Sequence, residues 1–366
     1  MSQLPSPTVP ACPNGIFIFP PDSVVVEDAD EEIMELYMNL ASISEGEGVG
    51  QSLIGLGFLD STQSVLKLSL ELAPPLDVIT RNASQNQVVK SKGRKQRVKK
   101  LQDESRVLGI DVQIHQDLTA LKGRKGETGS VLWRSSLHLA RDILLQNYYP
   151  STKPLLQFPL LKDAHVLELG SGTGLLAVLL SRLCGSYTAS DKYDNLRLVQ
   201  RNLELNGVNN RIRGSPLTQK NDRDSKRPED VHTEVILEEI DWVDISKNKT
   251  RYQSESPNTK KIHYDVVLAV DCIYNEHLVQ PFIDTLTTYC PVGGRTVVWV
   301  VVELRSAEVL TTFLKSWLDD SNGRWTVVRL GDDAMGDWMG RRPRWVGIHL
   351  DNPIHLSGLC PLDLQI

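Results

Sequence analysis

Residues 166–174 read Val-Leu-Glu-Leu-Gly-Ser-Gly-Thr-Gly. A hydrophobic run that ends in three alternate glycines and passes at once into a second apolar stretch folds most simply as a strand, a tight turn and a helix. Gly170 and Gly172 let the backbone turn sharply and approach a ligand closely, while Leu175, Leu176, Val178, Leu179, Leu180 and Leu183 continue as a buried helix. Units of this form bind nucleotides. The dinucleotide version needs a small residue at position 175, where Leu175 stands, and this turn carries Glu168 two residues ahead of its first glycine. The pattern therefore argues against a dinucleotide.

Upstream, Leu66 to Leu72 and Leu108 to Ile114 alternate large apolar residues strictly with Lys67, Ser69 and Glu71 and with Gly109, Asp111 and Gln113. Both read as half-buried strands of one hairpin. Its connection ends in Lys90–Lys100, with seven Lys or Arg among eleven residues. A solvated insertion is the simpler reading of this loop, and contact with RNA or an acidic partner the alternative. The division expected is an N-terminal β-rich accessory region over 1–125, its basic loop at about 82–100, and a second domain over 126–366.

After Gly126 strands and helices alternate, which implies a mostly parallel sheet covered on both faces. Seven strands are expected, at His165–Leu169, Tyr187–Asp191, Val235–Asp241, Asp265–Asp271, Thr296–Glu303, Trp325–Leu330 and Trp345–Leu350. Helical spacing appears at Leu196, Val199 and Leu203, at Leu278, Phe282, Ile283 and Leu286, and at Leu310, Phe313, Leu314 and Trp317. An earlier helix is expected over Ser135–Leu145. The hydrophilic stretches 211–233 and 246–261 read as loop insertions.

The net charge of −6 over 366 residues argues against wholesale coating of nucleic acid. Five scattered cysteines without a C-x-x-C pair indicate neither a disulfide framework nor a zinc knuckle, and no metal is expected. The longest apolar run, Val297–Val302, is too short to span a bilayer, and the N-terminus lacks a charged start followed by an apolar core. The expectation is a soluble intracellular protein, in the cytoplasm or also the nucleus, acting as a monomer and without a membrane partner.

In open α/β sheets ligands sit beyond the carboxyl ends of the strands. Four predicted ends carry suitable chemistry. The first supplies Glu168, Gly170, Ser171, Gly172 and Gly174; the second ends at Asp191, 21 residues after Gly170, where a carboxylate can accept from both hydroxyls of a ribose. The third ends in Asp241-Trp242, a polar group beside a flat ring suited to a base, and the fourth in Val270-Asp271-Cys272-Ile273-Tyr274. A solitary strand-end acid is more often a solvated turn residue, and a solitary tryptophan more often core; the succession of such ends after a glycine turn carries the argument. Cys272 has no histidine at a telling spacing and is read as a small buried hydrophobe without a chemical role.

The Glu-x-Gly-x-Gly-x-Gly turn resembles the first motif of class I S-adenosylmethionine-dependent methyltransferases. Together with Thr128–Ala140 (TGSVLWRSSLHLA), Asp191, Ile240-Asp241-Trp242 and the D-x-x-Y signature Asp271–Tyr274, the chain resembles the protein-lysine branch of that class, methyltransferase family 16, from about Gly126 to Leu350. The resemblance implies a Rossmann-like seven-stranded sheet. It also implies S-adenosylmethionine as cofactor, with S-adenosylhomocysteine as product, held by Trp133, Gly170, Ser171, Gly172, Asp191, Trp242 and Val270, and by Glu127 at the methionine ammonium. A narrower likeness to fungal ribosomal lysine methyltransferases, carried by the hairpin region and GETGSVLWRSS, implies the first large-subunit ribosomal protein as substrate.

Under that resemblance Asp271 is expected to bind the incoming amine and stabilise the charge developing on it, with Tyr274 offering a hydroxyl or a ring face. The plainer alternative makes Asp271 the cap of the following helix and packs Tyr274 beneath it. The connection Gly331–Pro343 is expected to bring Trp338, Met339 and Arg341 to the acceptor opening. A nucleobase amino-methyltransferase would carry prolines where this chain has Cys272-Ile273, which disfavours RNA as acceptor. A different protein or a small molecule as acceptor, or a non-catalytic module that sits on ribosomes, are the remaining alternatives.

Overall fold

The alternating leucines of the N-terminal half pair as one antiparallel hairpin, β2 (Val65–Leu72) against β3 (Leu108–His115), with Leu66 opposite Ile114 and Leu72 opposite Leu108. The computed structural model describes residues 8–46, 57–75, 107–123, 128–213, 234–249, 262–320, 324–331 and 343–349. The basic loop 82–100, most of the two insertions and Trp338, Met339 and Arg341 lie outside them.

The other elements follow in chain order. Before the hairpin come β1 (Val24–Val25) and α1 (Ala29–Gly46), and after it α2 (Leu118–Gly123), α3 (Arg134–Tyr148) and α4 (Phe158–Leu161). Then β4 (His165–Leu169), α5 (Leu175–Leu180), β5 (Ser186–Asp191), α6 (Tyr193–Leu205), β6 (Asn210–Ile212), β7 (Val235–Glu239) and α7 (Trp242–Lys247) alternate. The last group is β8 (Val266–Val270), α8 (Val279–Tyr289), β9 (Val297–Val301), α9 (Ala307–Leu318), β10 (Trp325–Arg329) and β11 (Arg344–His349). Nine strands form one sheet in the order β1-β10-β11-β9-β8-β4-β5-β7-β6. The expected class holds, α/β with a mostly parallel sheet covered on both faces. Six strands from β9 to β6 run parallel, and β11, β10 and β1 are added by successive antiparallel pairings.

Two strands exceed the seven expected, because β1 and β6 are two and three residues long and show no alternation. Strands β4, β8 and β9 bury both faces, so each contributes alternate residues to two cores. Val166, Val266, Leu268 and Trp299 face α3, α5, α6 and the hairpin; Leu167, Val267, Ala269 and Val300 face α1, α8 and α9. Helix α1 was not anticipated, although its signals are present. Asp28 accepts from the Glu31 amide at 2.9 Å, and Ala29, Ile33 and Leu36 form the buried stripe.

Chain order reverses between β4 and β8: from β4 the chain continues to β5 and β7 on one side and returns to β8 on the other. This switch point opens a crevice at the carboxyl ends of the strands. The hairpin is lashed beside it by two side-chain amides one helical turn apart, Asn202 on α6 and Asn206 just past its end. Asn206 exchanges hydrogen bonds with the Gln113 backbone, and the fully buried Asn202 accepts from the His115 amide at 2.8 Å and donates to the carbonyls of His115 (3.0 Å) and Thr173 (2.9 Å). The last bond reaches the glycine turn itself. Asn202→Ala leaves three backbone groups, two part-buried and one buried, without this partner, and a loss of about 2 kcal/mol is expected by chemical denaturation; a loss below about 0.5 kcal/mol contradicts the tie.

Candidate active site

The glycine turn has the backbone its sequence demands. Gly170, Gly172 and Gly174 all have positive φ (68°, 55° and 77°), the left-handed region in which a side chain is strained. A Cβ on Gly170 would lie 2.9 Å from Cys272 Sγ and 3.3 Å from the Trp242 ring, and one on Gly174 2.8 Å from Val199 on α6. Helix α5 is shorter than expected: it ends at Leu180, and Ser181–Leu183 continue as a 3-10 turn.

The turn is pinned by β5. Ser171 donates twice to the Ser190 carbonyl, from its amide (2.9 Å) and its hydroxyl (3.1 Å), so the hydroxyl expected to meet a cofactor is spent on the fold. Asp191 Oδ2 accepts from the Gly172 amide at 2.8 Å, while Oδ1 accepts from the Lys192 amide at 2.8 Å and Asn195 Nδ2 at 2.9 Å. Burial raises the Asp191 carboxyl above the usual range, and these three donors oppose the shift. The carboxylate retains acceptor capacity toward the cleft it lines.

Behind the turn, Glu168 is buried and accepts from the Tyr187 hydroxyl at 2.9 Å. Desolvation pushes its carboxyl up to about 8, with the Tyr187 hydrogen bond opposing and Asp191 adding. An acid raised on folding holds its proton between its ordinary value and about 8, so stability falls as pH rises through that window. Glu168→Gln keeps an acceptor for Tyr187 and removes the titration. The parent is expected to lose a few kcal/mol between pH 5 and 8 and the variant much less, by denaturation at both pH values. Equal slopes contradict the assignment.

Around the turn the structure gathers Trp133, Gly170, Ser171, Gly172, Asp191, Trp242, Val270, Asp271 and Tyr274 in one cleft. Thr128, Gly129, Leu132, Ser136, Asn195 and Ile240 complete much of its lining. Of the sequence-derived candidates, Glu127 lies outside the described residues. Trp242 opens α7 and packs on Phe282 with ring centroids 5.0 Å apart. Asp241 is not a strand residue: β7 stops at Glu239, and the Asp241 carboxylate caps α7 by accepting from the amides of Val243 (2.8 Å) and Asp244 (3.3 Å). Both bonds fall on Oδ1, so the cap commits one of its two oxygens, and Asp241 still lines the cleft. Cys272 is a buried thiol 3.3 Å from the Leu169 carbonyl, pushed well above its ordinary value by desolvation.

Trp133 stands where the N-terminal loop meets the sheet. Phe58 bridges to it, Leu59 donates to the Leu132 carbonyl and Arg134 to the Gly57 carbonyl, both at 2.9 Å. The buried Gln116 fastens this seam, accepting from the Leu132 amide and donating to the carbonyls of Asp60 and Gln63, each at 2.7 Å. Phe58 meets the Trp133 ring edge-on at 5.0 Å, and the Arg305 guanidinium lies over it, 4.6 Å from the centroid.

Asp271 follows β8 with φ +59°, in the left-handed region. Its side chain does not cap the next helical turn; Asn275 does, accepting from the His277 amide. Oδ1 accepts from Arg305 Nη1 at 2.8 Å and the Glu303 amide at 3.1 Å, and Oδ2 from Arg305 Nη2 at 2.6 Å and Ser135 Oγ at 2.9 Å. A carboxylate offers about four lone-pair positions, and all are filled. The expected direct hold on an incoming amine is therefore not open to Asp271 in this arrangement. Arg305 and Ser135 were missed. The fifth strand end, Glu303-Leu304-Arg305, obeys the same rule as the four that drew attention, and Ser135 lies in the quoted segment 128–140.

Residues 113–243 match the model of a protein family described as lysine methyltransferase. The match covers about a third of the chain. The matched segment runs from β3 to the first turn of α7 and contains the glycine turn, Trp133, Asp191 and Trp242; β8 with Asp271 follows it. Along more of its length the chain is similar to ribosomal lysine N-methyltransferase 5 of Candida glabrata, 26% identical over 81% of this chain and 91% of that one. It is also 28% identical to a diaminohydroxyphosphoribosylamino-pyrimidine deaminase of Schizosaccharomyces pombe over 56% of this chain, a stretch that spans 41% of that relative's length. Among solved structures, Aeropyrum pernix fibrillarin with bound S-adenosyl-L-methionine aligns with a TM-score of 0.34 and 13% identity over 66% of this chain and 90% of that one, too loosely to inform the site.

Proposed function

We propose that the cleft binds S-adenosylmethionine and that the protein methylates a lysine of a large-subunit ribosomal protein, the first of that subunit, in the cytoplasm. The observation that carries the reading is the left-handed glycine turn at the switch point, hydrogen-bonded through Gly172 to a strand-end acid that keeps acceptor capacity. The residues present fit such a cofactor. A Cβ on Gly170 or Gly174 would crowd its neighbours, Asp191 suits ribose hydroxyls, and Trp242, Ile240 and Val270 give an apolar wall for adenine. Trp133, and Glu127 by resemblance, belong to the methionine end.

When bound, the cofactor supplies a sulfonium methyl group open to displacement by an amine. The chain's own work is alignment, which can remove about 7–11 kcal/mol of such a barrier. The π-face of Trp133 and the ring of Tyr274, which borders the cleft half-exposed, surround the acceptor end. An amine entering between them loses water, which favours its neutral, nucleophilic form. The released proton passes to solvent, so no strong general base is required.

The reading draws support from the family match and from the relative in Candida glabrata, whose name carries the ribosomal substrate. The test is incubation of the purified protein with labelled S-adenosylmethionine and large ribosomal subunits from cells that lack it. A single labelled protein band, with the label on lysine by mass analysis, is expected. Label on RNA, or none, contradicts the proposal.

A further inference from the structure

We infer that Arg305 is a positioning residue for the transfer: its guanidinium locks the acceptor-end acid Asp271 to the cleft-wall ring of Trp133. The inference rests on the methyltransferase reading and deepens it. Four chain segments meet on this one group. It forks onto Asp271 at the end of β8 (2.8 and 2.6 Å) and touches Glu303 beyond β9 at 3.0 Å. It also covers the Trp133 ring at the head of α3, and abuts the Gly57 backbone of the N-terminal loop closely enough that a Cβ there would overlap it.

Burial alone would weaken the guanidinium's hold on its proton, but the hydrogen bonds and charge of Asp271, then of Glu303, hold its value above the ordinary one. The Asp271 side chain is 2% exposed, so its fork is a desolvated, charge-assisted pair rather than a surface contact. Such a pair is costly to open, and with Ser135 and the Glu303 amide it saturates the carboxylate. The amine therefore meets a preset wall of Trp133 and Tyr274, and Asp271 acts through Arg305. Gly57, with φ +90°, is what lets the loop close over the guanidinium. This also gives the N-terminal region a part in the chemistry.

Three variants test this: Arg305→Ala, Arg305→Lys and Gly57→Ala, the last pushing the guanidinium off its seat without altering it. Each is assayed for S-adenosylhomocysteine binding by calorimetry, for melting temperature, and for kcat and acceptor KM with labelled donor and large ribosomal subunits. Misplacement by about 1 Å predicts a roughly 30- to 100-fold fall in kcat for Arg305→Ala, with acceptor KM within about threefold of the parent. Lysine keeps the charge but neither the fork nor the stacking, so Arg305→Lys is expected to recover less than about threefold of that loss. Gly57→Ala should fall in the same direction. Full rescue by lysine reduces the role to charge neutralisation and overturns the inference, as does parental kcat in Arg305→Ala or in a folded Gly57→Ala. A raised acceptor KM at unchanged kcat overturns it too, making Arg305 a binding contact. Should Arg305→Ala fail to fold, Arg305→Lys and Gly57→Ala decide alone. A parent that neither binds S-adenosylhomocysteine nor labels the subunits defeats the methyltransferase reading and this inference together.

Discussion

Asp191→Ala is expected to weaken S-adenosylhomocysteine binding by about 100-fold, measured by calorimetry. Two losses combine. The proposed acceptor for the ribose disappears, and the Gly172 amide loses the partner that ties the left-handed turn to β5. Hydrogen bonds to a charged group are worth about 1.5–3 kcal/mol, and every 1.4 kcal/mol is tenfold in affinity. Asp191→Asn retains one acceptor oxygen and should fall between parent and alanine. The Lys192 amide and Asn195 also lean on this carboxylate, so some loss of melting temperature accompanies the alanine variant. Near-parental affinity in either variant would show that the cleft holds its ligand elsewhere.

Asp271→Ala is expected to cost about 3 kcal/mol of stability and more than about tenfold in methyl transfer. Removing one partner of a desolvated pair strands the other: the Arg305 guanidinium would keep Glu303 but lose its fork, and Ser135 would lose its acceptor. The side chain of Arg305 is 25% exposed, so water recovers part of the penalty, which sets the figure at the low end for buried pairs. Alanine also suffers at φ +59°, a conformation aspartate tolerates better. Asp271→Gly separates the two effects, because glycine bears no penalty at that φ. If the ion pair matters most, glycine and alanine behave alike in denaturation and in transfer. If glycine restores stability, backbone strain was the larger part.

The fold was legible where burial imposes a period. The apolar residues of β2 and β3 alternate because one face is buried, and β8 and β9 are unbroken apolar runs because two faces are. The glycine turn was legible because only glycine relieves left-handed backbone at three alternate positions. Strands β1 and β6 escaped notice because two or three residues carry no period, and α1 escaped despite a capping aspartate and a clean apolar stripe. The cleft-lining positions of Asp191, Trp242 and Val270 could be read from the strand-end rule.

What Asp271 does could not be read that way. Its partners, Ser135 and Arg305, stand 136 and 34 residues away, and no local pattern announces that both will reach one carboxylate. Asp241 teaches the reverse. An acid next to a tryptophan at a strand end suggested a ligand, while a short helix beginning at the next residue claimed one of its two oxygens for a cap. Side-chain acids near backbone amides are committed locally before a ligand is considered.

The central claim is that the crevice beside Gly170–Gly174 and Asp191 receives the sulfonium donor. Calorimetric titration of the 366-residue chain with S-adenosylhomocysteine tests it most directly. One molecule taken up per chain, with binding abolished or sharply weakened in Asp191→Ala, is the predicted result. Absence of binding heat from well-folded parent protein across a range of temperatures would contradict it.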